Sequence, residues 1–191
     1  MKCDIILAGV GGQGVLSIGA IIASSALKKG LHVKQAEVHG MAMRGGAVQA
    51  SLRLSDEPIA SDLIPSGKAH MILSMEPMEG LRYLDFLSPE GTLVTSTEPV
   101  VNIPDYPELE KVLETARALP HSILLESETL ARKAGSARAS NMVMVGAATH
   151  LLPIGADILE QFIRDVFERK GEKVVETNLK AFQAGIEAAR K

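Results

Sequence analysis

The stretch from residue 4 to residue 14 constrains this chain more than any other. A short apolar run, Ile5-Ile6-Leu7-Ala8, ends abruptly in glycines, and small and apolar residues follow from Val15 to Leu27. This order predicts a strand, a tight turn and a helix. The candidate site residues of the turn are Gly9, Gly11, Gly12, Gln13 and Gly14.

Three of these glycines have the Gly-x-Gly-x-x-Gly spacing of a dinucleotide-binding turn. Gly9 permits a sharp exit from the strand, Gly11 lets a ligand or a neighbouring chain approach the backbone, and Gly14 allows the helix to pack close to the strand. The helix that starts here directs free N–H groups and a partial positive charge outward, so an anion can sit there. A tight turn with no nucleotide satisfies the same spacing, so both interpretations stay open.

The second strand is predicted at Leu31 to Val38, and Glu37 near its end lies 23 residues after Gly14. A dinucleotide fold places an acid near this position to bind a ribose hydroxyl. The alternative is a strand-end carboxylate that faces water or another subunit. The next loop carries Arg44, Gly45 and Gly46, where backbone N–H groups and a guanidinium can converge on an anion. Arg44 can equally pair with a local carboxylate.

Strands and helices alternate along the rest of the chain, which indicates an α/β fold: a three-layer sandwich with a mainly parallel, Rossmann-like sheet. The short loop before Ala47 to Leu54 predicts a hairpin-like or edge antiparallel strand there. An almost wholly apolar helix is predicted from Ala139, capped by Ser140 or Asn141. Further strands are predicted at 70–73, 91–96 and 122–125, and further helices at 76–84, 108–119, 126–134, 157–170 and 174–191; Asn178 is placed on an exposed face of the last helix.

Composition limits the possible functions of what is predicted to be one domain over residues 1–191. The net charge is −3 and no basic block stands out, so nucleic-acid binding has no electrostatic footprint. The glycine cluster interrupts any signal-peptide core, and no apolar run approaches the roughly 20 residues of a membrane span. We therefore expect a cytoplasmic protein with no membrane partner.

Side chains that carry chemistry are scarce in the sequence. Cys3 is the only cysteine, so the chain cannot supply the four thiolates that an iron–sulfur cluster usually needs. No two histidines have the i, i+4 spacing of a helical zinc pair, and no nucleophile elbow or acid cluster is present. We therefore expect no metal site and assign no catalytic residue. Two glycine loops and one arginine instead indicate a site that another chain completes.

The combination of these motifs resembles the gamma domain of the 2-oxoacid:ferredoxin oxidoreductases, and within that family the small subunits of the indolepyruvate-oxidising branch. The resemblance covers essentially the whole chain. It is carried by Gly9-Val10-Gly11-Gly12-Gln13-Gly14, Glu37, Arg44-Gly45-Gly46, Glu76-Pro77-Met78-Glu79 with Arg82, Asn178, Ala181-Phe182 and Gly185.

This resemblance implies a subunit of a complex that oxidatively decarboxylates an arylpyruvate such as indolepyruvate, with coenzyme A as acceptor and ferredoxin as electron acceptor. It implies that thiamine diphosphate and the iron–sulfur clusters belong to a large partner subunit, and that this chain holds no cofactor itself. The two glycine loops would face that partner. Two other functions stay open: a small NAD-binding reductase that uses the first turn and Glu37, and a non-enzymatic module that binds an anion such as coenzyme A.

Overall fold

The computed structural model describes residues 1–39 and 45–190. Six strands form its sheet: β1 (Lys2–Val10), β2 (His32–His39), β3 (Ala47–Ser55), β4 (Ala69–Ser74), β5 (Leu87–Ser96) and β6 (Ser122–Leu125). The α-helices are α1 (Val15–Lys28), α2 (Pro77–Leu81), α3 (Leu109–Arg117), α4 (Ser127–Ala134), α5 (Ser140–Ala148), α6 (Ala156–Phe167) and α7 (Glu172–Ala188). Short 3-10 turns lie at Leu84–Phe86, Ala137–Ala139, Thr149–Leu151 and Glu168–Lys170.

The strands are arranged in the order β2-β3-β1-β4-β5-β6. Strands β1, β4, β5 and β6 pair in parallel, while β3 is antiparallel to both β1 and β2. Five strands therefore run in one direction, as the prediction of a mainly parallel sheet requires. The antiparallel β3 was expected, and its pairing with β2 confirms the hairpin-like alternative. The edge alternative is wrong, because β3 lies inside the sheet and β2 and β6 are its edge strands. Buried residues on both faces of β3, such as Leu52 and Arg53, explain its interior place.

Helices cover both faces of the sheet, which confirms the three-layer sandwich. Ile5 and Leu7 of β1 point into the larger core, which α1 and α4 to α7 complete. Ile6 points the other way, into a smaller core that includes Ala116 of α3 and Leu81 of α2. This alternation is what a strand with two buried faces requires, and it explains why β1 reads as a continuous apolar run.

Helix α5 lies at the centre of the larger core, and every residue from Asn141 to Ala148 is buried, as its apolar sequence predicts. The predicted cap is wrong, because Ser140 and Asn141 both lie within the helix and Ala139 precedes it. The prediction for Asn178 is also wrong. Asn178 is buried, and its Nδ2 donates a hydrogen bond to the Val174 carbonyl at 2.8 Å, because α7 packs against other helices along this face.

A buried ion pair stabilises the amino-terminal end of β1. Arg53 of β3 donates two hydrogen bonds to the Asp4 carboxylate, at 2.8 and 3.1 Å, and neither side chain is more than 10% exposed. Nη1 of Arg53 also donates to the carbonyls of Ser61 and Leu63, both at 2.9 Å. This guanidinium therefore holds the loop after β3 against the sheet. Within residues 1–39 and 45–190, no helix has both the length and the apolar character needed to cross a membrane.

Candidate functional site

The candidate site lies where β1 and β4 reach the carboxyl edge of the sheet, and we call this position the crevice. The two strands are parallel neighbours, but α1 leaves β1 towards one face of the sheet and α2 leaves β4 towards the other. The connections therefore diverge at this point. In open α/β sheets, ligand sites form where neighbouring connections diverge in this way. The glycine turn and the Met75-Glu76 segment form the two sides of the crevice.

The glycine turn needs glycine for reasons visible in the structure. Gly14 precedes α1 with φ +80°, a left-handed conformation that favours glycine. A Cβ atom on Gly14 would also lie 2.8 Å from Nδ2 of Asn141, and one on Gly9 would lie 2.8 Å from Cγ2 of Val15. The first turn of α1 receives no side-chain cap, so the turn presents backbone N–H groups, as the sequence predicts.

Gln13 bridges the two sides of the crevice. Its Oε1 accepts a hydrogen bond from the Val10 N–H at 2.7 Å, and its Nε2 donates to the Met75 carbonyl at 3.1 Å. The Met75 N–H in turn donates to the Ala8 carbonyl at 2.9 Å. The Gln13 amide therefore occupies strand-end groups that a ligand would otherwise reach. Its observed contacts are those of a structural clamp within the turn.

Gln13→Glu is expected to lower the free energy of unfolding by about 1–3 kcal/mol. Glutamate keeps the shape of the side chain but cannot donate to the Met75 carbonyl, and its charged oxygen would face that carbonyl. Urea denaturation of the two proteins measures the difference. Glu57→Gln, the reverse exchange on an exposed loop, is the control and should stay within about 0.5 kcal/mol. Equal stability of Gln13→Glu and the native chain would contradict the bridging role.

The two glycine loops contact each other, as their shared edge predicts. The Gly11 N–H donates to the Gly46 carbonyl at 2.8 Å, and the Gly45 N–H donates to the Gly11 carbonyl at 3.1 Å. Asn102, on the segment after β5, adds a hydrogen bond from its Nδ2 to the Gly45 carbonyl at 2.8 Å. Asn102 was not identified from the sequence. Arg44 lies outside the described residues.

Glu37 lies apart from the two glycine loops, whereas a dinucleotide fold would place this acid beside the first of them. It is exposed on β2, where its Oε1 accepts a hydrogen bond from Nε2 of Gln35 at 2.6 Å. Because β3 separates β2 from β1, two strand spacings, roughly 10 Å, lie between the two strands. A dinucleotide fold has these strands side by side. The ribose-binding geometry that the spacing of Glu37 suggested is therefore not formed here.

Two carboxylates beside the crevice are buried, which was not predicted from the sequence, although both belong to the motifs that carry the family resemblance. Glu76 is fully buried: its Oε2 accepts the Glu79 N–H at 2.7 Å as the cap of α2, while its Oε1 accepts from the Tyr106 hydroxyl. The spacing of Glu79 and Arg82, three residues apart in the sequence, predicts an ion pair on the helix surface. The pair forms, with Nε and Oε1 3.1 Å apart, but Glu79 is only 1% exposed. Burial raises the pKa of the Glu79 carboxyl, and it also raises the pKa of Tyr106, helped by the bond to Glu76.

The segment that contains Tyr106 explains why these acids are buried. Tyr106 and the Val100 N–H, at 3.4 Å, both bind the Glu76 carboxylate, while Asn102 between them binds Gly45. Glu76 thus fastens the segment that supports the second glycine loop. The sequence signal for the capping role of Glu76 was its place immediately before Pro77. An acid followed by proline in the first turn is typical of a helix N-terminus.

The described residues offer little chemistry of their own. Among them, no three His, Cys, Asp or Glu side chains come together in a way that could hold a metal ion. The Cys3 thiol is buried, and burial raises its pKa to about 12. It therefore remains protonated at neutral pH, and the thiolate is the nucleophilic form.

Comparison with known proteins identifies the family of this chain. Residues 4–188 match the family model described as pyruvate ferredoxin/flavodoxin oxidoreductase. The chain is 36% identical to the indolepyruvate oxidoreductase subunit IorB of Archaeoglobus fulgidus, over 99% of this chain and 96% of that one. It is 32% identical to the 2-oxoglutarate synthase subunit KorC of Methanothermobacter marburgensis, over 98% of this chain and 96% of the relative.

Two solved structures have the same fold. One is the gamma subunit of a keto/oxoacid ferredoxin oxidoreductase from Geobacter sulfurreducens, with a TM-score of 0.72, 26% identity and 98% of both chains covered. The other is the 2-oxoglutarate:ferredoxin oxidoreductase of Magnetococcus marinus with 2-oxoglutarate, coenzyme A and succinyl-CoA bound. It gives a TM-score of 0.79 at 24% identity, with 99% of this chain aligned to 31% of a longer chain. This chain belongs to the pyruvate ferredoxin/flavodoxin oxidoreductase family, as a small subunit of a 2-oxoacid:ferredoxin oxidoreductase.

Proposed function

We propose that this chain is the cofactor-free small subunit of an indolepyruvate:ferredoxin oxidoreductase. In this proposal, a large partner subunit holds thiamine diphosphate and the iron–sulfur clusters and passes electrons to ferredoxin. The observation that carries the proposal is the 36% identity to an indolepyruvate oxidoreductase subunit over nearly the full length of both chains. The chain is also 32% identical to a 2-oxoglutarate synthase subunit, so 2-oxoglutarate is the second candidate substrate.

The geometry of the crevice favours a subunit that supports a partner's site over a reductase that binds NAD. Gln13 already binds the Val10 N–H and the Met75 carbonyl, and Glu37 lies on a strand that β3 separates from the turn. A dinucleotide needs an open crevice with the acidic residue on the adjacent strand. The single free thiol also suits a cytoplasmic complex, where cysteines stay reduced.

The partner is proposed to bind at the carboxyl edge of the sheet, where both glycine loops lie. Two apolar side chains at this edge are exposed: Val38, near the end of β2, is 66% exposed and Val101, beside Asn102, is 70% exposed. A partner bound at this edge would remove the apolar surface of these two valines from water.

Hydrogen–deuterium exchange tests this placement directly. We expect backbone amides at 9–14, 45–46 and 97–105 to exchange more slowly in the purified complex than in the isolated chain. Peptides from the first turns of α6 should exchange equally in both states, because the segment just before α6 contacts Lys29 at the far end of α1 from the glycine turn. Protection of α6 with no change at the glycine loops would contradict the proposed surface, whatever the activity of the complex.

A further inference from the structure

A cavity of about 490 Å³ lies between the first turns of α1, α5 and α7. Ser17, Asn141 and Lys173 represent these three helices in its wall, and the segment between α4 and α5 closes one side. The volume falls within the range of small-molecule sites, about 300–1,000 Å³. No role in the proposed function depends on this cavity.

All the charged side chains that line the cavity are basic. Arg138, Lys170 and Lys173 line it, and none of its lining residues in the described chain is acidic. None of the three cations forms an ion pair within the part of the chain that the structure describes. The acid beside Lys173, Glu172, is engaged with Arg164 at 3.2 Å. Lys170 lies over the Phe167 ring, with 5.1 Å from its Nζ to the ring centre, so Arg138 and Lys173 are the cations available to a ligand.

A buried amide supplies a second, independent observation. Asn141 lines the cavity and is 8% exposed, and its Oδ1 is buried without a hydrogen-bond partner among the described residues. Buried side-chain amides normally have their hydrogen bonds satisfied. An amide can donate through its nitrogen and accept through its oxygen, and it can exchange the two by rotating. A ligand that carries both an acceptor oxygen and a hydroxyl would satisfy it.

One helix end adds to the same preference. The first turn of α7 lines the cavity and has no side-chain cap, so it leaves backbone N–H groups free and carries partial positive charge. Helix α5 instead continues from the 3-10 turn at Ala137–Ala139, and its Ser140 N–H donates to the Ala137 carbonyl. Gly135 and Thr177 face each other in the cavity wall, and a Cβ on Gly135 would lie only 3.2 Å from Oγ1 of Thr177.

We propose that this cavity binds a phosphomonoester, with the phosphate held by Arg138 and Lys173 and read by the Asn141 amide. A phosphate presents the oxygen acceptors that the cations, the first turn of α7 and the nitrogen of the Asn141 amide require. The remaining volume accommodates a small organic group beside the phosphate. Because Asn141 packs against Gly14, an occupied cavity would also stiffen the start of α1.

Isothermal titration of the full chain with glycerol 3-phosphate, adenosine monophosphate and inorganic phosphate tests the site. We expect saturable one-to-one binding of at least one phosphomonoester, weakened about tenfold by Arg138→Gln and by Lys173→Gln. Both residues are exposed enough for the variants to fold. Lys180→Gln, a matched loss of charge farther along α7, should leave binding unchanged. Asn141→Asp should abolish binding by placing a carboxylate against the phosphate.

Three outcomes would overturn the proposal. The first is no saturable binding of any probe at 10 mM concentration, on the order of the weakest affinities that a specific site would show. The second is equal weakening by Lys180→Gln, which would indicate general attraction to cations. The third is tight binding of inorganic phosphate with no binding of either ester, which would leave a simple anion site and exclude the ester.

Discussion

Gly185→Ala is expected to lower the free energy of unfolding by about 3 kcal/mol, which corresponds to roughly 6–12 °C in Tm for a chain of this size. Gly185 of α7 lies against α5, and a Cβ there would stand 1.9 Å from the Val143 carbonyl oxygen. Gly146 of α5 makes the reciprocal approach, with its Cβ position 2.0 Å from the Phe182 carbonyl oxygen. Backbone cannot rotate away as a side chain can, so the two helices must separate.

The direction of the stability change distinguishes a crowded glycine from an uncrowded one. Alanine is favoured over glycine inside a helix by about 1 kcal/mol, so an uncrowded site would become more stable. Gln183→Ala, on the exposed face of the same helix, is the control and should change stability by less than about 0.5 kcal/mol. Chemical denaturation followed by circular dichroism measures both. A Gly185→Ala protein as stable as the native chain would show that α5 and α7 do not cross this closely.

Asp4→Ala is expected to cost about 3–5 kcal/mol. The substitution would leave the Arg53 guanidinium, only 8% exposed, without the carboxylate that accepts two of its hydrogen bonds. An unpaired buried charge is the main cost, because the carbonyls of Ser61 and Leu63 offset only part of the lost solvation. Denaturant unfolding at neutral pH measures the loss.

Two matched variants separate the buried pair from ordinary surface charge. Lys2 also pairs with Asp4, at 3.0 Å, but its side chain is 52% exposed, so Lys2→Ala should cost less than about 1 kcal/mol. The double variant Asp4→Leu with Arg53→Met should be more stable than Asp4→Ala alone, because no charge remains buried. If Asp4→Ala proved no worse than Lys2→Ala, the buried pair would have no special role.

Local sequence patterns were sufficient for the elements whose surroundings are simple. The run Ser122 to Leu125 forms β6 with the predicted bounds, and the apolar segment after Ala139 is buried on all sides. The contact between the glycine loops also followed, because the carboxyl ends of the strands meet at one edge of the sheet. These features depend on the period and composition of short segments.

Features fixed by distant parts of the chain could not be predicted in this way. The interior place of β3 depends on which strand pairs with which, and a hairpin loop specifies only one of its two neighbours. The burial of Glu79 depends on a fold in which α2 packs between the sheet and α3, and no local pattern shows that packing. Asn178 has an ordinary polar position on a helical wheel and is buried because α7 contacts several helices. Tertiary packing decided each of these cases.

Purification from the native host, with assays for partner, cofactors and activity, tests the central claim most directly. We expect a large subunit to co-purify with this chain. The complex should contain thiamine diphosphate and iron and should reduce ferredoxin with indolepyruvate and coenzyme A, whereas the separated chain should contain neither cofactor and be inactive. A chain that purifies alone, retains NAD and catalyses a reduction by itself would contradict the account.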